Sequence, residues 1–314
     1  MASDQVQSGA GQAPFALAHA PAGVRGRPWQ AISRASLPYL LVLPAAVLVF
    51  GWTVYPTIQV IRSSLTNWSL NRTRIDFIGL QNYIWLLTDR QFWLTLANTA
   101  IFSVGVLLLV LTLGFLLALA LNEHLRFRAL FRTSVILPWA ITAVVTGVMW
   151  RWMLVPDIGI VSYALSQLGF HVPFLLDSKI AMGVLIVVEV WRSTGYSMIL
   201  LLAGLQGIDP SLHEAAKVDG ATYARYVRHV LLPLLTPTVL IVTILMSIRT
   251  VNLIDLVLVV TGGGPARQTE TMGLFMWKES FQLYGVGYGS AIAVLMFAIN
   301  LVMTYFYVKI LMTD

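Results

Sequence analysis

Long runs of apolar residues alternate with short polar stretches along this chain. Each of six runs exceeds the roughly 20 residues that an α-helix needs to cross about 30 Å of hydrocarbon. The runs are continuous, which excludes the apolar-polar alternation of a transmembrane β-barrel. The pattern therefore predicts an all-α, polytopic membrane protein with six transmembrane helices, over residues 37–61, 94–121, 133–155, 180–203, 230–260 and 286–311.

Composition supports this class. The chain is 58% hydrophobic and 11% charged, whereas about 25% charged residues is usual in a soluble domain. It contains no cysteine, which excludes a disulfide framework, a thiolate metal site and a thiol nucleophile. The net charge of +6 does not indicate a nucleic-acid partner, because basic residues in a membrane protein mostly report its topology.

The two ends and the charged loops predict an orientation. Residues 1–36 are rich in Ala, Gly and Gln and lack a short apolar core with a cleavage site. We expect a disordered cytoplasmic tail there rather than a signal peptide, followed by a transmembrane domain over residues 37–314. The loop at residues 122–132 carries three arginines, whereas residues 156–179 contain one lysine and two aspartates. The excess of positive charge places the arginine-rich loop and both termini in the cytoplasm, although arginines in the first outer loop weaken the bias.

A polar stretch at residues 209–233 lies between the fourth and fifth apolar runs. Asp209 is a typical helix N-cap, and the proline after it suits the first helical position. We expect a short helix over residues 211–218 that ends at Gly220, because glycine can adopt the left-handed conformation that terminates helices. A second helix is predicted over residues 221–229, and the residues alone are compatible with an amphipathic connector at the membrane interface.

The same stretch contains Glu214-Ala215-Ala216, then Gly220 six residues after the glutamate, and a closing Leu232-Pro233. It resembles the EAA loop of ABC-importer permeases, in which the loop docks into a groove on a separate ATPase. The resemblance implies that the ATPase-coupling residues are Glu214, Ala215, Ala216, Asp219, Gly220 and Ala221.

A second motif narrows the resemblance. Three glycines and a proline at residues 262–265 predict a tight turn that ends the fifth span at the outer face. Together with Thr269-Glu270-Thr271 and the Tyr288-Gly289-Ser290-Ala291 that opens the last span, they resemble the carbohydrate-uptake subfamily of these permeases, the maltose and glycerol-phosphate type. The resemblance covers residues 37–311.

The resemblance implies a type I ABC-importer permease fold and a multi-pass protein of the inner or cytoplasmic membrane of a bacterium or archaeon. It implies no enzyme activity and no bound cofactor, with ATP bound by a dimer of separate ABC ATPase subunits. Further implied partners are a second homologous permease, an extracytoplasmic solute-binding protein, and a sugar or sugar-like solute such as an oligosaccharide, a polyol or a glycerol phosphate. The chain contains no G-x-x-x-x-G-K-[ST] phosphate loop.

Ionisable residues inside predicted spans are costly and usually face a cavity or a partner. In the fourth span, Glu189 and Arg192 lie on one face, and the fifth span carries Arg249 with polar residues three and six positions later. One interpretation is that Glu189–Arg192 and Arg249–Asp255 are structural ion pairs. The other is a polar lining for a hydroxyl-rich solute, and the resemblance implies that these two helices line the transport path. The candidate path residues are Glu189, Arg192, Ser193, Tyr196, Arg249, Asn252 and Asp255.

Two other function classes are alternatives to the importer. An ion-coupled secondary transporter would show inverted repeats with broken helices, and no internal repeat is visible in the sequence. An intramembrane enzyme would need paired polar catalysts, whereas the five histidines are scattered and no metal-ligand spacing occurs. The ion-coupled transporter remains the alternative to an ATP-driven importer.

Overall fold

We describe residues 28–123 and 126–311 in a computed structural model of the chain, with side chains for residues 38–123 and 126–310. Within this part the chain is helical apart from turns and an isolated β-bridge between Thr66 and Phe77. The predicted all-α class is confirmed. The α-helices are α1 Pro28–Val49, α2 Tyr55–Ser64, α3 Gln81–Thr88, α4 Arg90–Asn122, α5 Arg128–Ala140, α6 Ala143–Met153, α7 Ile160–Gln167, α8 Ser178–Gln206, α9 Ser211–Val218, α10 Tyr223–Tyr226, α11 Leu232–Val251, α12 Asp255–Val260, α13 Met272–Trp277 and α14 Val286–Leu311.

The chain divides into two units, residues 1–56 and residues 57–314. The described part of the first unit contains α1, which is followed by a π-helical segment at Phe50–Val54. Its described side chains are exposed except for a partly exposed Ala46. Of the tail predicted over residues 1–36, residues 1–27 lie outside the described part, and residues 28–36 belong to α1.

Five described helices are long and apolar enough to cross a membrane, and the count becomes six if α5 and α6 together form one span. The five are Pro38–Ser64, Arg90–Asn122, Ser178–Gln206, Tyr223–Val251 and Val286–Ile310. The third predicted span, over residues 133–155, is not one continuous helix, because α5 and α6 meet at 94°. Pro138 lies in the last turn of α5, and the Thr142 side chain caps the start of α6. A proline near a helix end and a capping threonine both favour a break between helices.

The fifth span also differs from its prediction, which placed it at residues 230–260. The helix is continuous over Tyr223–Val251, and α12 is a separate helix. A π-helical segment at Val227–Leu231 lies just before Pro233, so the missing N–H of this proline is accommodated without ending the helix. At the other end, the Asn252 side chain donates to the Ile248 carbonyl at 2.6 Å, a local bond that competes with further helical pairing.

The second unit is built around α8, which packs along α4 and contacts α5 and α11. Its core consists mainly of aliphatic side chains from these helices, with Phe102 and Met198 fully buried. Close approach depends on small residues. A Cβ added at Gly114 would lie 2.6 Å from the Ser197 hydroxyl, and one added at Gly195 would meet the Val135 carbonyl oxygen. Glycines at such crossings are typical of packed membrane helices, because van der Waals contact rather than the hydrophobic effect holds the helices together.

Two glycines on α8 form a matched pair for testing this packing. We expect Gly195→Ala to destabilise the protein by about 1–3 kcal/mol, because the new methyl group would be forced against the backbone of α5. Gly183→Ala on the same helix has nothing within 4 Å of the added Cβ, so it should be neutral or slightly stabilising through helix propensity. Thermal unfolding in detergent measures both variants. Equal unfolding temperatures would show that α5 and α8 are not in contact at Gly195.

Candidate transport path and coupling loop

The loop between α8 and α11 begins with the helix that the sequence predicted, α9 at Ser211–Val218. The Asp209 carboxylate accepts a hydrogen bond from the Ser211 N–H at 2.9 Å. This backbone hydrogen bond holds the pKa of Asp209 below its ordinary value, because it stabilises the charged carboxylate. Asp209 therefore caps the start of the helix, as its sequence position indicated.

The end of α9 is a Schellman motif. The Ala221 N–H donates to the Ala216 carbonyl at 2.9 Å, and the Gly220 N–H donates to the Lys217 carbonyl at 3.0 Å. Gly220 has a φ of +71°, which glycine adopts without steric cost. The predicted helix stop at Gly220 is confirmed. The predicted second helix over residues 221–229 is not separate, because it is the first part of the continuous helix Tyr223–Val251.

The predicted coupling residues divide between two faces of this loop. Glu214, Ala215, Asp219 and Gly220 are exposed, whereas Ala216 and Ala221 are partly buried. Val218, which was not among the predicted site residues, is 87% exposed. Its position as an apolar residue in a short polar helix was the sequence feature from which it could have been predicted as a contact residue. The loop thus presents a small, partly apolar surface away from the helix bundle.

A buried ionic cluster lies between α8 and α11. Glu189 is fully buried, and its Oε1 accepts from Arg249 Nε at 3.0 Å and from the Ser193 hydroxyl at 2.6 Å. Its Oε2 accepts from Arg192 Nη1 at 3.5 Å. Arg192 Nε also donates to the Ile141 carbonyl at 3.3 Å, at the break between α5 and α6. The structure therefore brings together four of the seven predicted path residues around one carboxylate.

The other predicted path residues lie outside this cluster. The interpretation that paired Arg249 with Asp255 was wrong, because α11 ends before Asn252 and the helix face on which all three were placed does not exist. Asn252 and Asp255 are exposed. Tyr196 is partly buried and stacks on Trp139, with ring centroids 5.1 Å apart.

A second buried carboxylate was not among the residues predicted from the sequence, although its motif was noted. Glu270 is fully buried and pairs with Arg267 at 2.6 Å and Lys278 at 2.9 Å. Gln91 at the start of α4 donates to the same carboxylate at 3.0 Å. Lys278 also donates to the Gly262 carbonyl at 2.8 Å. Glu270 thus fixes the glycine-rich loop onto α4, and the Thr-Glu-Thr motif beside the glycines was the available signal.

Residues 110–310 match the family model described as binding-protein-dependent transport system inner membrane component. The chain is 32% identical over 287 residues to the sulfoquinovosyl glycerol transport system permease protein SmoG of Agrobacterium fabrum, covering 91% of this chain and 93% of the relative. It is 34% identical over 277 residues to the trehalose/maltose transport system permease protein MalF of Thermococcus litoralis, covering 88% and 94%.

Among solved structures, the chain resembles one from a bacterial ABC transporter involved in the import of the acidic polysaccharide alginate. The TM-score is 0.79 at 23% identity, with 91% of this chain and 99% of the other covered. The predicted ABC-importer permease fold is confirmed by this likeness. Because the family model matches most of the chain, and relatives above 30% identity align along nearly their whole length, the chain belongs to the family of inner membrane components of binding-protein-dependent transport systems.

Proposed function

We propose that this chain is the permease subunit of an ATP-driven importer for a sugar or sugar-like solute. A second homologous permease completes the transport path, two ABC ATPase subunits bind and hydrolyse ATP, and an extracytoplasmic solute-binding protein delivers the solute. Residues 37–314 form the transmembrane domain in the cytoplasmic membrane, with both termini in the cytoplasm. The observation that carries the proposal is the α9 loop, a capped helix that lies between two membrane helices and has an exposed outward face.

The surface of α9 suits docking to a protein groove. Ala215 adds little bulk, so a partner surface can approach the helix backbone closely. Glu214 offers a carboxylate for a charged hydrogen bond, and Val218 offers apolar area that is exposed in this chain. The chain contains no phosphate-binding loop. We therefore assign ATP binding to the partner ATPase, and we propose that α9 is the element that the movement of the ATPase pushes.

The ionic cluster of α8 and α11 supports a polar transport path. In the described residues, Arg249 makes one polar contact, through Nε, and its side chain is 26% exposed. Its remaining guanidinium N–H groups are thus free to donate to a solute. Both oxygens of Glu189 are already occupied, so we assign Glu189 to holding the arginines and Arg249 to contacting the solute. Tyr196 adds an aromatic face on which a sugar ring can pack.

The named relatives support the solute class. Their names specify sulfoquinovosyl glycerol and trehalose or maltose, which are small and rich in hydroxyl groups. Family membership also favours the ATP-driven importer over the ion-coupled transporter. In the proposed cycle, closure of the ATPase dimer pushes the two loops and rocks the permeases between inward- and outward-facing states.

Site-directed cross-linking tests this function, since the chain has no native cysteine and one introduced thiol is therefore unique. Ala215→Cys is expected to form a cross-link to a co-purified protein that mass spectrometry identifies as a P-loop ATPase. A second permease and a solute-binding protein should be recovered from the same native membranes. Gln167→Cys in α7, exposed and at the opposite end of α8, is the control and should give no ATPase adduct. A chain that purifies alone, with no ATPase adduct at Ala215→Cys, would favour the ion-coupled transporter.

A further inference from the structure

The inward face of α9 carries an aromatic contact that the proposed function does not use. The His213 ring lies against Tyr226, with ring centroids 4.6 Å apart, and it also approaches Tyr223 at 6.5 Å. Tyr226 is 7% exposed and belongs to the hydrophobic core of the bundle. His213 therefore joins the exposed loop helix to a side chain that is fixed within the bundle.

This contact connects α9 to the next helix independently of the backbone at Gly220. The covalent route from α9 to the next helix passes through Gly220, whose φ of +71° is one of several conformations open to glycine. Nothing lies within 4 Å of a Cβ added at Gly220, so no side chain packs against that position, and the two hydrogen bonds of the Schellman motif are what hold its backbone. A force on α9 reaches Tyr226 directly through the packed rings, whereas the route along the backbone runs through a joint that can rotate.

Tyr226 lies in the first turn of a long continuous helix. The helix from Tyr223 continues to Val251 and carries Arg249, which binds Glu189 of α8 at 3.0 Å. The start of α9 is joined to the end of α8 by residues 207–210. Helix α8 and the helix Tyr223–Val251 are therefore connected in two places. One is the ion pair within the bundle, and the other is α9 through its ring contact with Tyr226.

We propose that His213 is the positioning residue through which movement of α9 reaches the helix Tyr223–Val251. This role rests on the proposed docking of α9 to an ATPase. The contact that transmits the push is the one between His213 and Tyr226. His213 acts by ring packing, with no proton transfer and no contact with solute or ATP. Without the ring, α9 can turn about Gly220 while the membrane helix stays in place, so ATP is hydrolysed without transport.

The test uses the whole transporter, purified from its native membrane and reconstituted in proteoliposomes with its solute-binding protein. For His213→Ala we expect the solute transported per ATP hydrolysed to fall by about tenfold, within the usual range of coupling between sites. His213→Phe retains a planar ring and should restore the ratio to within about twofold of the unchanged protein. Tyr226→Ala should resemble His213→Ala, and the double variant should be no worse than either single variant, since all three lack the same contact.

Docking is measured separately, by the cross-link from Val218→Cys to the ATPase in each background. A retained cross-link with a lowered transport ratio in His213→Ala, and rescue in His213→Phe, is the expected result. An unchanged ratio in His213→Ala would overturn the proposal, and so would failure of His213→Phe to rescue, because the ring would then not be what matters. If Val218→Cys gives no ATPase adduct even with His213 intact, the proposed docking itself fails, which is a different outcome.

Discussion

Replacing Gly220 with valine is expected to lower solute uptake by about tenfold or more while ATP hydrolysis by the assembled transporter continues. Gly220 has a φ of +71°, where a β-branched side chain costs roughly 1–2 kcal/mol or more. No neighbouring atom lies within 4 Å of the added Cβ, so the cost comes from the backbone and not from a clash. Valine therefore drives the Schellman motif out of its left-handed conformation and turns α9 relative to the bundle. Uptake and ATP hydrolysis measured together in proteoliposomes give the ratio.

Two controls separate this effect from general strain. Gly220→Asn should keep uptake within about twofold, since asparagine adopts the left-handed conformation more readily than other non-glycine residues. Gly169→Val places the same side chain at a φ of +83°, also with nothing within 4 Å of the Cβ, but in the loop between α7 and α8. Uptake should be nearly unchanged in that variant. Full uptake with Gly220→Val would show that the left-handed turn has no part in coupling.

The bounds of α9 could be predicted from the sequence because the signals at its two ends are local. A capping aspartate, a proline beside it and a glycine at the end act within one or two turns of helix. The helix at Ser211–Val218 therefore appears where the sequence indicated. Its outward apolar residue Val218 was missed, because a membrane protein is so rich in valine that one more carries little information on its own.

The broken third span and the shortened fifth span could not be predicted from apolar runs. Hydropathy reports which residues avoid water, and it is nearly blind to a 94° bend between two equally apolar helices. The relevant signals were a proline at 138 and an asparagine at 252. Each lies in an apolar segment, whose hydropathy favours a continuous span. Pro233 is a stronger signal for a break, yet the helix continues through it because a π-helical segment lies just before it.

Pairing within the ionic cluster lies beyond sequence reasoning for a different reason. Spacing along a helix proposes partners three or four residues away, which identified Glu189 with Arg192. The contact between Glu189 and Arg249 joins residues 60 positions apart, and it exists only because α8 packs against α11. The fully buried Glu270 is similar, since Gln91 reaches it from 179 residues away. Local patterns identify charged residues in costly positions, and the packing of helices decides which of them meet.

Replacing Glu189 with methionine is expected to lower stability by about 3–5 kcal/mol, because two guanidinium groups would lose the carboxylate between them. Glu189 is fully buried, and its oxygens bind Arg192, Arg249 and Ser193. We expect a large fall in the thermal unfolding temperature in detergent and loss of uptake. Asp76→Asn is the control, as it breaks the Arg74–Asp76 pair, whose side chains are 87% and 44% exposed, and exposed pairs contribute about 0–1 kcal/mol.

A double variant then decides between the two interpretations of the cluster. Glu189→Met with Arg249→Met removes one charge of each sign, and unbranched methionines fill most of the vacated space. Because a buried ion pair replaced by apolar groups of similar volume is often tolerated, stability should return in part, while Arg192 loses its carboxylate and keeps its hydrogen bond to the Ile141 carbonyl. If Arg249 lines the transport path, uptake should stay low in the double variant although its stability has risen. The solute concentration needed for half-maximal uptake should also rise. Restored uptake together with restored stability would show that the cluster only holds α8 to α11, and the path would then have to run along other residues.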